Sequence, residues 1–262
     1  MWATTVNVNP YLEVCAKAVS SEEIFNKFKG EVAYRGIVTG VSELQGKQYF
    51  DKLKKSNSYF LSEEVLQKAK FADSIGSPVK FVYGDIGEIS PTTLRYLNVM
   101  HELTKEFGKL NNFKVIEIGC GYGEQCQLIN QFCEIQDYTV VDEPIVLSLV
   151  GKYIGRLGQP IPRMTSCHEV KQLQSEEYDL VISNYAYSEL NKDTQDVYFE
   201  KFVSRSRRGY MTYNALKNSP DRSKPYDYRE FIEMLSQAGY NVKNYNENVT
   251  RSECEVIVWS KK

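Results

Sequence analysis

Residues 114–125, Lys-Val-Ile-Glu-Ile-Gly-Cys-Gly-Tyr-Gly-Glu-Gln, constrain the fold of this chain more than any other stretch. The apolar run Val115–Ile118 predicts a short buried strand. Gly119, Gly121 and Gly123 then stand at alternate positions, and a helix is expected over 123–133. Glycine accepts left-handed backbone and lets a ligand approach without a Cβ in the way. The unpaired N–H groups of the helix start favour an electron-rich ligand group. A tight strand-to-helix turn that binds nothing would also use glycines, so the segments after it carry the decision.

The dinucleotide pattern G-x-G-x-x-G needs a third glycine where this chain has Glu124. A nicotinamide cofactor is therefore disfavoured. The next expected strand, Tyr138–Val141, is aromatic and β-branched and ends at Asp142. A carboxylate at that tip can accept two hydrogen bonds from a ribose diol, each contributing about 1.5–3 kcal/mol. Asp142 can also cap the helix that Pro144 opens, and the two roles are compatible. The E-x-G-x-G-x-G spacing with Asp142 after it resembles the first motif of class I S-adenosylmethionine-dependent methyltransferases.

The 262 residues suffice for one large domain, or one domain with a smaller appendage. A net charge of −2 gives no general attraction to nucleic acid or an acidic membrane. The apolar runs are of strand length, and Met1–Pro10 lacks the basic and apolar regions of a signal peptide. None of the six cysteines forms a C-x-x-C pair, so free thiols in a reducing compartment, the cytoplasm, are expected. The 19 tyrosines suit carbohydrate faces without establishing carbohydrate binding.

Two regimes follow each other along the chain. Residues 1–90 read as short helices: Ser20-Ser21-Glu22-Glu23 has capping-box spacing, and a helix from Ser62 to about Ala72 ends before Gly76-Ser77-Pro78. A short strand is expected over 79–83. Ser90-Pro91 starts a helix striped by Leu94, Leu97, Met100, Leu103 and Phe107. From residue 112 strands and helices alternate, which predicts a mostly parallel sheet covered on both faces. Strands are expected over 114–118, 138–141, 161–165, 179–183, 209–213, 240–245 and 254–260, with the last antiparallel after a hairpin over Asn246–Arg251. Helices are expected over 123–133, 144–155, 192–206 and 227–238. The domain division is thus 1–90, a helical lid or contact region, and 91–262, the cofactor-binding unit.

Within class I, the chain resembles the sugar O-methyltransferases from about Gly87 to Asn214, half its length. Ile89–Tyr96, Val115–Cys126, Tyr138–Tyr153 and Tyr178–Leu190 carry the likeness, with Arg208–Thr212 after them. Asp142 and Pro144 match that group's Asp-Leu-Pro, with Glu143 in place of leucine. The resemblance implies a Rossmann-like α/β fold of seven strands, S-adenosyl-L-methionine as cofactor and a carbohydrate acceptor, while the charge and the strand-length apolar runs predict no nucleic acid and no membrane partner. It leaves room for a homo-oligomer.

Ligands of open α/β sheets lie beyond the C-terminal strand edges. Gly119, Gly121, Tyr122, Gly123 and Gln125 are then expected under the methionine part. Glu117 is set to hold the amino group through water, as that group's acidic residue does. Arg95 is the candidate for the carboxylate or a solvated helix residue. Ser166 or His168 is expected beside the adenine, and Ser183 and Asn184 beside the cofactor. Tyr185, Tyr187 and Asn214 face the acceptor, or the tyrosines pack in the core. A sugar hydroxyl needs a base. Glu189 is the first candidate and His168 the second, with a first-turn helix carboxylate the alternative role for Glu189. His101 reads as a packed or surface histidine. A divalent metal could polarise hydroxyls instead, with Asp142 and Glu143 as acidic ligands, but no metal motif stands out. Arg222 and Lys224, in the loop Asn218–Tyr226, could meet a diphosphate or simply be solvated. Methylation of another small acceptor, at nitrogen or a phenol, and a cofactor-binding pseudoenzyme that serves as an assembly partner are the competing readings.

Overall fold

A computed structural model describes residues 9–214, 220–250 and 253–262. Asn218 and Arg251, which the expected loops include, lie outside the described residues. Seven strands form the main sheet: β1 Lys114–Ile118, β2 Asp137–Asp142, β3 Arg163–Ser166, β4 Tyr178–Asn184, β5 Ser206–Tyr213, β6 Tyr240–Asn246 and β7 Glu255–Lys261. Their order across the sheet is β3-β2-β1-β4-β5-β7-β6. β1 pairs in parallel with β2 and β4, and β5 with β4, while β7 runs antiparallel between β5 and β6. The chain order reverses between β1 and β4, so the β1 tip is the topological switch point where such sheets bind ligands.

Side-chain alternation explains why this sheet has two covered faces. Val115, Leu180, Ile182, Tyr210, Val256 and Val258 enter one apolar core. Ile116, Ile118, Val181, Met211, Ile257 and Trp259 enter the other. The first face is covered by the helices later called α4, Pro91–Phe107, α5, Glu124–Phe132, and α6, Pro144–Arg156. The second is covered by α7, Lys192–Tyr198, and α8, Tyr228–Gln237. The expected helix over 192–206 is shorter than its pattern, since Tyr198 passes into a π-helical turn at Phe199–Val203.

The N-terminal region is helical, with α1 Pro10–Ser20, α2 Glu43–Lys55 and α3 Glu63–Ala72. Ser42 and Gln45 form a reciprocal capping box on α2. The N-terminal region shares the first apolar core through Cys15, Phe28, Tyr34, Tyr49, Leu53 and Val65. α1 lies on α6, where Lys152 Nζ donates to the carbonyls of Ala18 and Val19 at 3.0 and 3.1 Å. The expected strand over 79–83 shrinks to Phe81–Val82, paired with Glu88–Ile89.

Candidate cofactor and acceptor site

The turn after β1 has positive φ at each alternate glycine, +74° at Gly119, +55° at Gly121 and +89° at Gly123. A side chain at any of them would hold strained backbone. Gly119 N–H continues the sheet pattern to the Val141 carbonyl at 2.9 Å, and Gly121 N–H donates to Asp142 Oδ2 at 3.3 Å. Glu143 N–H donates to Asp142 Oδ1 at 2.8 Å, and the Cys120 thiol to Oδ2 at 3.7 Å. The β2-tip carboxylate thus braces the glycine turn. Ser166 is paired in register with Asp142. Its Oγ accepts from His168 N–H at 3.2 Å.

The residues present suit a nucleoside with an amino-acid tail. Gln125, one residue into the first turn of α5, is buried, and neither Nε2 nor Oε1 has a hydrogen-bond partner in the protein. Buried amide atoms of this kind are normally paired, so they fit a ligand with both donors and acceptors. The roof of the turn is built by the N-terminal region. Val38 Cγ1 stands 3.2 Å from where a Cβ of Gly121 would lie. Arg95 Nη2 donates to the Val38 carbonyl at 3.0 Å.

Several side chains named from sequence have packing roles. The Tyr122 ring is buried among Phe28, Tyr34, Tyr96 and Tyr153, with centroids 5.0–6.4 Å away, so only its backbone borders the turn. Ser183 Oγ donates to the Ile118 carbonyl at 2.8 Å and accepts from Tyr187 N–H at 3.0 Å, which ties β1 to β4. Tyr187 packs between Tyr213 and Phe231 and donates to the Gln195 carbonyl. Arg222 pairs with Asp193 and Asp196 on α7. Glu117 turns to Tyr138, whose hydroxyl donates to it at 2.9 Å.

His168 lies beyond β3, three strand spacings from β4, roughly 14 Å at about 4.8 Å per strand. Its Nε2 faces Glu143 Oε2 at 3.1 Å, and the ring is well exposed. Glu143, Cys167 and His168 present ligand atoms within 4.8 Å of one another, two of them brought together by the Glu143–His168 contact. This places His168 on the Asp142 side of the crevice, away from Glu189. Glu189 ends the single helical turn Ala186–Glu189 beyond β4. It is exposed, and Asn214 Nδ2 donates to its Oε1 at 3.1 Å.

Beside this rim is a polar cavity of about 10 Å³, room for one water-sized group. Tyr49, Arg95, Glu102, Asn184, Tyr185 and Glu247 are among the residues that wall it. Tyr49 and Glu247 come from α2 and the loop after β6, far from any recognisable motif, and sequence reasoning missed them. Tyr185 has φ +70°, unusual for an aromatic residue and a frequent mark of functional backbone. Arg95 Nε and Asn184 Nδ2 are buried donors with no partner in the protein.

Burial pushes Glu117 up to about 8 and Asp142 up to about 6. Both values lie above the ordinary carboxyl range, so the folded protein keeps protons that the unfolded chain has released. Their combined contribution to stability therefore falls as pH rises from about 4 to 8. We expect a higher thermal midpoint at pH 5 than at pH 8, and a flatter profile in Glu117→Gln. A midpoint that rises over this interval equally in both proteins would contradict this assignment.

No protein-family model matches this sequence, and no curated protein does. Solved structures resemble the fold. The PH0226 protein of Pyrococcus horikoshii OT3 has a TM-score of 0.50 at 14% identity, with 64% of this chain and 90% of that chain covered. A S-adenosylmethionine-dependent methyltransferase of Clostridium acetobutylicum has a TM-score of 0.49 at 10% identity, covering 62% and 89%. The YcgJ protein of Bacillus subtilis has a TM-score of 0.49 at 12% identity, covering 64% and 98%. At these identities the likeness concerns the fold. The strand order and the antiparallel β7 give the chain the Rossmann-like methyltransferase architecture.

Proposed function

We propose that this protein is an S-adenosyl-L-methionine-dependent methyltransferase whose acceptor is a sugar hydroxyl, on a nucleotide-sugar or a glycan. The observation that carries the cofactor reading is the braced turn, three positive-φ glycines at the switch point with Asp142 at the adjacent strand tip. Asp142 is suited to the ribose diol, Gln125 and the turn backbone to the amino-acid portion, and Ser166 to the adenine side. The sugar reading rests on the resemblance of the four sequence segments and on the tyrosine, amide and guanidinium groups around the small cavity beside the rim. Free thiols at the six cysteines suit a reducing compartment such as the cytoplasm. No helix among the described residues is long and apolar enough to cross a membrane.

When bound, the cofactor supplies an electrophilic methyl group on a sulfonium sulfur. The protein must align the acceptor oxygen with that carbon and take its proton. Asn184 and Arg95 present donors toward the acceptor side, and Glu189 at the rim is the carboxylate that the sequence singled out as base. Calorimetry should show binding of S-adenosylhomocysteine and no competition by NAD. Labelled cofactor with a panel of nucleotide-sugars and glycans should yield a product heavier by about 14 Da, one methyl in place of one hydrogen. Transfer to amines or phenols alone would remove the sugar assignment.

Asp142→Ala should weaken cofactor binding by about 2–4 kcal/mol through lost charge-assisted bonds. Asp142 also accepts from two backbone N–H groups, so Asp142→Asn serves as the control that retains shape. Unchanged affinity in Asp142→Ala would take this carboxylate out of the ribose role.

A further inference from the structure

Two hydroxyls on separate elements join Tyr185 to a buried carboxylate. Tyr185 Oη donates to Thr250 Oγ1 at 2.8 Å. Thr250 Oγ1 and Tyr49 Oη are 2.8 Å apart. Tyr49 Oη donates to Glu247 Oε1 at 2.5 Å. Each hydroxyl has one proton to give. Tyr49 uses its proton on Glu247, so Thr250 must donate to Tyr49, and Tyr185 to Thr250. The chain is therefore ordered in one direction, toward Glu247. Tyr185 Oη is left as an acceptor, and among the described residues none is seen to donate to it. The Tyr185 side chain walls the same cavity as the partnerless donors of Arg95 and Asn184.

The supports are built from distant parts of the chain. Glu247 Oε2 accepts from the N–H groups of Val249 and Thr250 at 3.0 and 2.6 Å, which fixes the carboxylate as an acceptor. Gln45 Nε2 and Lys52 Nζ on α2 hold the carbonyls of Thr250 and Glu247 at 2.9 Å each. Arg95 places its guanidinium carbon 5.7 Å from the Tyr185 ring centre. Tyr185 follows the β4 tip with its backbone at φ +70°.

We propose that Tyr185 is the catalytic residue that takes the proton of an acceptor hydroxyl, and that Thr250 and Tyr49 relay it to Glu247. This rests on the methyltransferase reading above. The acceptor oxygen forms a bond to the methyl carbon, and the carbon–sulfur bond of the sulfonium donor breaks with its electron pair left on sulfur. The acceptor proton moves to Tyr185 Oη as each hydroxyl passes its own proton on, and Glu247 ends as the neutral acid. Positive charge lost at sulfur is matched by negative charge lost at Glu247. Tyr185 touches the acceptor, while Thr250, Tyr49 and Glu247 act through it as positioning residues. The wire gives the proton an exit other than Glu189.

The test uses the full chain, with Tyr185→Phe, Tyr49→Phe, Glu247→Gln and Glu189→Gln. Calorimetry with S-adenosylhomocysteine comes first. No binding by the wild type overturns the methyltransferase reading and this proposal with it, and binding without transfer to any hydroxylated acceptor overturns the proposal alone. With transfer established, the three wire variants should bind S-adenosylhomocysteine within about twofold of wild type and lose about 10²-fold in kcat. Their solvent isotope effect should be smaller than that of wild type. A structural role alone would lower the folded fraction without changing the isotope effect of the remaining activity. Wild-type kcat and isotope effect in folded Tyr185→Phe and Glu247→Gln would overturn the relay, and a 10²-fold loss confined to Glu189→Gln would return the base to the rim.

Discussion

Lys29→Ala is expected to destabilise the fold by about 3–5 kcal/mol, read as a lowered urea midpoint. Lys29 and Glu124 are both 0% exposed, with Nζ and Oε2 3.5 Å apart. Nζ also donates to the Ala72 carbonyl and to Tyr153 Oη, each at 3.3 Å. It sits 4.4 and 4.5 Å from the ring centres of Tyr122 and Tyr153. Burial lowers the basicity of this ammonium, and the Glu124 carboxylate works in the opposite direction. Removing one partner of a buried pair leaves the other charge unmatched, which is why the loss is large. Replacing both by groups of similar volume, as in Lys29→Met with Glu124→Gln, should recover most of it. A double variant as unstable as Lys29→Ala would mean that Lys29 matters for the hydrogen bonds of its Nζ to Ala72 and Tyr153 and not for the charge left on Glu124.

That pair also shows where sequence reading stops. The strands β1 to β7 were legible to within a few residues because each apolar run alternates between two covered faces, as Val115 and Ile116 or Leu180 and Val181 do. The glycine turn and Asp142 were legible because a local backbone requirement fixes the residue type. Tyr122 and Tyr187 stand in motifs that point to ligand contact, with core packing the alternative for Tyr187, and the structure uses both rings as core, since a tyrosine pattern does not reveal which way a ring points. Helices α1 and α2 left no clear signal, although α1 packs on α6 and α2 supplies Tyr49 to the cavity wall. Tyr49, Lys29 and Glu247 meet their partners at separations of roughly 100 to 200 residues, and no spacing rule encodes such pairings. The N-terminal region, read as a lid or contact surface, supplies Val38 over the turn and Tyr49 to the wire.

The last expected result concerns the contact between that roof and the turn. Gly121→Val should abolish cofactor binding while the fold persists. The φ of +55° alone costs a residue with a Cβ about 1–2 kcal/mol. The added carbon would stand 3.2 Å from Val38 Cγ1, so the neighbour must also give way. Stability and binding can be separated by relieving that contact. Gly121→Ala should lose about 1–2 kcal/mol of stability and weaken binding. Adding Val38→Ala opens space for the new carbon, so part of the stability should return. Binding should stay weak, because the same carbon still lies on the surface where the ligand's amino-acid portion is placed. Chemical unfolding and calorimetry on the two single variants and the double variant would decide this. Full recovery of S-adenosylhomocysteine affinity in the double variant would show that Gly121 serves only to shape the turn beneath Val38, and that the ligand does not approach its backbone.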